Sequence, residues 1–88
     1  MKYVMIINEK DDVAVVGEEI LTNDELYYIK EGEKVFFRAL DNIPIYHKVA
    51  INNVIKGNHL IKYGEKIGLA SKDICIGEHV HTHNLEHY

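Results

Sequence analysis

Ile29-Lys30-Glu31-Gly32-Glu33-Lys34-Val35 sets a pattern: an aliphatic residue, two variable ones, glycine, two variable ones and a second aliphatic. It returns as Val54-Ile55-Lys56-Gly57-Asn58-His59-Leu60 and again as Ile74-Cys75-Ile76-Gly77-Glu78-His79-Val80. A glycine between short apolar segments supplies the φ > 0 position of a tight turn, so each copy should bend the chain and start a strand.

Around these anchors, short β-rich runs occupy residues 3–7, 13–16, 26–29, 34–40, 48–51, 59–61, 67–69 and 79–83. Separated by glycine and Asx-type turns, they predict a compact all-β fold. Tyr63-Gly64-Glu65 reads as a hairpin turn, and Gly68 as a point of close backbone approach. Pro44 should mark a turn or an edge, because proline cannot donate into a central ladder. Residues 22–28 are the one helix candidate, with Thr22 and Glu25 at capping-box spacing. Tyr27, Tyr28 and Ile29 prefer strands, however, and Gly32 follows too soon for a useful helix.

With 88 residues the chain has room for one core, so one domain spanning residues 1–88 is expected. Hydrophobic residues at 47% and charged residues at 27% belong to an ordinary folded domain. The alternating start at residues 1–8 reads as a strand rather than a secretory signal, and no apolar run is long enough for a bilayer; the expectation is a cytoplasmic protein without membrane contact. Ten basic against fourteen acidic residues leave a net charge of −4, which repels phosphate backbones and disfavours nucleic acid. The single cysteine, Cys75, cannot staple so small a core, which makes oligomerisation the expected source of extra stability.

Residues 79–83 carry histidine at every second position, and strand residues at i, i+2 and i+4 share a face. Same-face Cα atoms about 6.5–7 Å apart let two imidazoles converge on one metal ion. His81 and His83 are the candidate ligands, with His79 ranked below them because the repeat equates it with Lys34 and His59. The plain alternative is an exposed terminal strand with solvated histidines, or a tag-like tail at Leu85-Glu86-His87, against which Tyr88 argues. His47, followed by Lys48, is a further candidate as a turn residue held by flanking strands; a turn histidine capping a carbonyl is the competing reading. One strand offers too few ligands for a catalytic metal site, so a second chain is expected to supply the rest.

Taken together, Ile43-Pro44, His47-Lys48-Val49-Ala50, Ile61-Lys62-Tyr63-Gly64-Glu65, Ile67-Gly68, Ala70, Ile74, Gly77-Glu78-His79-Val80-His81 and His83-Asn84 resemble the SAF domain of the altronate and galactarate dehydratase family. The resemblance covers most of the chain and implies a β-clip fold. It also implies dependence on a divalent metal, iron by analogy. Tyr46 departs from the pattern, which has glycine before the histidine and lysine. A stand-alone domain of this type is also similar to the small subunit of sulfolactate sulfo-lyase.

The function expected from the resemblance is that of a small subunit in a metal-dependent hydro-lyase, which removes water from a sugar acid and is inactive without a large dehydratase-type subunit. His81 and His83 would be ligands or acid–base groups, while His47 and Lys48 would contact the substrate carboxylate or a bound water. Two alternatives share the sequence features: the sulfo-lyase small subunit, with sulfite leaving, and a non-enzymatic carbohydrate-binding module of the SAF type. A homo- or hetero-oligomer is expected in each case. A histidine-based, pH-responsive assembly surface is a third.

Overall fold

The computed structural model describes residues 1–86, so His87 and Tyr88, which bore on the tag reading, lie outside the described residues. Nine strands follow in chain order: β1 (Lys2–Met5), β2 (Val13–Val16), β3 (Glu25–Lys30), β4 (Glu33–Arg38), β5 (Lys48–Ala50), β6 (His59–Lys62), β7 (Glu65–Ala70), β8 (His79–Val80) and β9 (Leu85–Glu86). No helix occurs among the described residues, in line with the all-β expectation. A six-stranded sheet has the order β4-β3-β1-β2-β5-β8, and a three-stranded sheet has the order β6-β7-β9.

The internal repeat exists, but its membership differs from that read off the glycines. Ile20, Ile43, Val54 and Ile74 each form an isolated bridge. Three residues after each bridge stands a residue with positive φ: Asn23 at 76°, Tyr46 at 69°, Gly57 at 90° and Gly77 at 94°. Each is the third residue of a turn closed by a backbone bond, Asp24 to Leu21, His47 to Pro44, Asn58 to Ile55 and Glu78 to Cys75, at 2.9–3.1 Å. A left-handed third residue is what a type II turn requires. A strand begins at the fifth residue after each bridge: Glu25, Lys48, His59 and His79. The expected copy at residues 29–35 is a different device. Its Glu31 and Gly32, with φ of 52° and 79°, form a two-residue hairpin turn of the I′ kind between β3 and β4. Two true copies lacked glycine, and this hid them from a glycine-anchored search.

The copies pair by antiparallel bridges, Ile20 with Ile43 and Val54 with Ile74, and each pair closes over its own core. Val4, Val16, Leu26 and Val49 fill the first core; Leu60, Val80, Ala50 and Leu85 fill the second. Each fully buried aliphatic side chain contributes about 1.5–3 kcal/mol. Buried Asp11 ties the halves together, accepting from the N–H groups of Ile7, Asn8 and Gly64 at 3.0–3.1 Å. The same carboxylate draws residues 7 and 8 out of the sheet, so β1 ends at Met5 rather than at the expected Ile7. Tyr63 and Gly64 turn between β6 and β7 as expected, and Gly68 lies so close to the Glu86 carbonyl that no Cβ would fit.

The expected strand over residues 79–83 requires correction. β8 stops at Val80, and the N–H groups of Asn84 and Leu85 both donate to the His81 carbonyl, at 3.1 and 3.0 Å. Residues 81–84 therefore form a turn, after which β9 joins β7 in the other sheet. Asn84 causes the reversal, since its amide group bonds local backbone more readily than it extends a ladder.

Candidate functional site

β5 and β8 pair at the edge of the six-stranded sheet, Lys48 opposite Val80 and Val49 opposite His79. His47 enters β5 directly from the second turn, and His79 opens β8 directly after the fourth. The repeat thus delivers two histidines to adjacent strand ends. Their rings meet, with His47 Nδ1 2.9 Å from His79 Nε2. His81 stacks nearly parallel to His79 at a centroid distance of 5.6 Å and lies 4.6 Å from His47. His83, on the turn, returns to 5.4 Å from His79. All four rings thus gather, His79 from the start of β8 and His81 and His83 from the turn that follows it.

Asn84 holds this arrangement from behind. It is fully buried, its Nδ2 donating to the His79 carbonyl at 2.8 Å and its Oδ1 accepting from the His81 N–H at 3.0 Å. Asp41 accepts from the His79 N–H at 2.9 Å. The backbone on both sides of Val80 is therefore fixed by side-chain amide and carboxylate groups.

The electrostatics favour the neutral imidazole at His79 and at His81. Desolvation, followed by the rings of His47, His83 and His81, holds His79 below the ordinary histidine value, with Asp41 opposing. His81 is lowered by desolvation, then by His47, Lys48 and His83. Lys48 is also pushed down, by burial first and then by Lys62. A neutral imidazole keeps a lone pair free for a metal ion, whereas a protonated one does not.

One nitrogen from each of His47, His79 and His81 lies within 4.8 Å of the others. Nitrogens sharing an ion at about 2.0–2.1 Å stand no more than about 4.2 Å apart, so small ring rotations would close the set. Three imidazoles suit iron or zinc and leave positions open. His83, read from sequence as a partner ligand of His81, lies outside this set of three. His79, ranked below its neighbours because of the repeat, lies inside it. Cys75 is exposed, and its thiol is pushed up by desolvation, by the charge and hydrogen bond of Glu78, and by Asp73, so thiolate chemistry is disfavoured there.

A family model described as the altronate/galactarate dehydratase SAF domain matches residues 2–88. The chain belongs to this family. It is 34% identical over 86 residues to an altronate dehydratase of Bacillus subtilis, covering 98% of this chain and 16% of that protein. An altronate dehydratase of Escherichia coli is 36% identical over 84 residues, again with 16% of its length covered. The alpha subunit of a (2R)-sulfolactate sulfo-lyase from Chromohalobacter salexigens is 33% identical over 85 residues, covering 92% of this chain and 90% of that protein. This SAF domain thus spans a small part of the dehydratases and nearly all of the sulfo-lyase subunit. No helix among the described residues is long and apolar enough to cross a membrane.

Sequence reasoning about the SAF domain did not single out Asn84 or Asp41 as functional. The available signal was Asn84 itself, a turn-forming amide directly after the last regularly spaced histidine. Asp41 carried none, being 38 residues from the N–H it accepts from.

Proposed function

We propose that this SAF domain is the small component of a metal-dependent lyase acting on a sugar acid or related hydroxy acid, with a large dehydratase-type subunit supplying most of the pocket. The observation that carries the reading is the convergence of His47, His79 and His81 nitrogens within 4.8 Å on an exposed sheet edge. In β-elimination a base takes the proton α to a carboxylate while the group on the β carbon departs with its bonding electrons.

His47, His79 and His81 would hold the divalent cation, iron by family analogy. When bound, it would supply Lewis-acid charge for the carboxylate and the departing group. Lys48, half-buried and two residues from the left-handed turn, would pair with the substrate carboxylate. His83, beside His79 yet outside the ligand set, would move a proton in the elimination. Water is the leaving group in the first reading. Sulfite is the second, supported by the 33% identity to a sulfolactate sulfo-lyase alpha subunit over 90% of that protein. The chain alone should be inactive.

The test is reconstitution with the large subunit and a divalent metal, assayed on altronate, galactarate and sulfolactate. His79→Ala should lower elimination at least about 100-fold, as loss of a ligand or positioned group typically does. Turnover by the isolated chain, or full activity of the His79→Ala complex, would contradict the assignment.

A further inference from the structure

His47, His79 and His81 reach their common site by different routes. His47 stands at the entry to β5 and His79 on β8, strands paired within the six-stranded sheet, and both residues are half-buried. His81 lies beyond the end of β8, on the turn over residues 81–84, and is exposed. An exposed ring gains little from packing, so its place depends on how the two ends of that turn are held.

One end is Val80, in the six-stranded sheet. The other is β9, which belongs to the three-stranded sheet, with Ala70 opposite Leu85 and Leu69 opposite Glu86. The Ser71 N–H donates to the Asn84 carbonyl at 3.0 Å, and the Leu85 N–H donates to the His81 carbonyl at 3.0 Å. The Leu85 side chain is buried in the second core, in the same cluster as Ala70 and Val80. β7, which receives β9, is itself braced: the Gly57 N–H donates to the Ala70 carbonyl at 2.8 Å, and the Ala70 N–H donates to the Asn58 carbonyl at 2.9 Å.

Gly68 decides how closely β9 can lie. Its φ is outside the left-handed region, so glycine serves here for space and not for conformation. A Cβ at this position would overlap the Glu86 carbonyl oxygen and stand 2.9 Å from Leu85 Cδ1. A side-chain tip can swing aside, but the Glu86 carbonyl is backbone, so β9 itself must move. With only two residue pairs to hold it, β9 would carry the turn along.

We propose that Gly68 is a positioning residue of the candidate metal site: by letting β9 lie against β7, it holds the 81–84 turn in place and sets His81 against His47 and His79. The inference rests on the proposed function, since it takes these three histidines as the ligand set. His47 and His79 touch at 2.9 Å within the six-stranded sheet and keep that contact when β9 shifts. Loss of the glycine would therefore turn a three-histidine site into a two-histidine one.

Cobalt(II) titration of the full chain, followed by its visible d–d bands, reads affinity and ligand number together, below the melting temperature of each variant as checked by circular dichroism. Gly68→Ala should weaken cobalt binding about tenfold or more, the usual effect of disturbing the groups behind a ligand. Its bound spectrum should match that of His81→Ala. In a His81→Ala background the same substitution should change affinity by less than about twofold, because the ligand through which it acts is gone. Gly32→Ala, in the β3 to β4 hairpin where φ is 79° and a Cβ meets nothing within 4 Å, strains the backbone far from the site and should leave cobalt affinity within about twofold. Should Gly68→Ala not fold, Leu85→Ala, which loosens β9 by removing its buried anchor, takes its place in the same comparison. Wild-type affinity and spectrum in the folded variant, or a loss undiminished in the His81→Ala background, would overturn the positioning role while leaving the proposed function intact. A wild-type chain that binds no cobalt would overturn the ligand set and this inference with it.

Discussion

Removing the Asn84 amide tests whether the histidine cluster is built or accidental. In Asn84→Ala, the His79 carbonyl loses its 2.8 Å donor and the His81 N–H loses its 3.0 Å acceptor. A buried polar group left unpaired costs about 1–3 kcal/mol, and these groups are only partly buried, so the lower half of that range applies to each. Together with the small void behind the turn, the loss should be about 2–4 kcal/mol. Asn84→Asp divides the effect: the oxygen facing His81 is kept, while an oxygen replaces the donor to His79, giving about 1–3 kcal/mol at neutral pH. Urea unfolding followed by circular dichroism reads the stability, and calorimetric titration with zinc or iron(II) reads the site. Both variants should also bind metal more weakly, because His79 and His81 lose the backbone that aims them. A loss below about 0.5 kcal/mol in Asn84→Ala, the range of ordinary surface changes, with metal affinity unchanged, would refute the role assigned to this residue.

Three further outcomes follow from the same geometry. Gly57 and Gly77 share a left-handed turn, but a Cβ at Gly57 meets nothing within 4 Å while one at Gly77 collides with the Arg38 carbonyl. Gly57→Ala should therefore cost about 1 kcal/mol and Gly77→Ala at least about 3 kcal/mol, measured by chemical denaturation. His79 and His81 are both held below the ordinary histidine value of about 6.5. The unfolded chain thus takes up protons first on acidification, and stability, complete above about pH 6.5, should fall as pH drops through the depressed folded values. Melting temperature against pH checks this, and a stability that rises on acidification through that window would contradict it. Finally, a divalent metal at 100 times its dissociation constant should stabilise the isolated chain by about 2.7 kcal/mol. The shift in melting temperature should vanish in His47→Ala.

The all-β architecture was legible because every strand is short, β-rich and bounded by turn residues, and the hairpin at Gly64 carried its own signature. Strand ends were less so. β1 stops early because Asp11 reaches back to Ile7 and Asn8, and β8 because Asn84 bonds both sides of Val80; neither contact has a periodicity. The histidines at 79, 81 and 83 were conspicuous as a run, yet their partner His47 lies 32 residues from His79, and only the β5 to β8 register joins them. Of the two alignments by which His79 was ranked, that with Lys34 falls away because residues 29–35 belong to a hairpin outside the repeat, while that with His59 stands.

The true repeat also explains why a histidine could be placed at position 47. In the first and fourth copies, the last turn residue is an acid that caps the N–H of the first: Asp24 accepts from Leu21 at 2.8 Å and Glu78 from Cys75 at 2.9 Å. In the second copy the first turn residue is Pro44, which has no N–H to cap. His47, standing where Asp24 and Glu78 stand, is released from that structural duty, and its Nδ1 turns instead to His79. The fourth copy keeps its capping acid and carries its histidines one and three residues later, on the paired strand and the turn after it. Proline at 44 and histidine at 47 are thus one substitution in physical terms: the first removes the donor that would hold the second, and the freed ring completes the cluster.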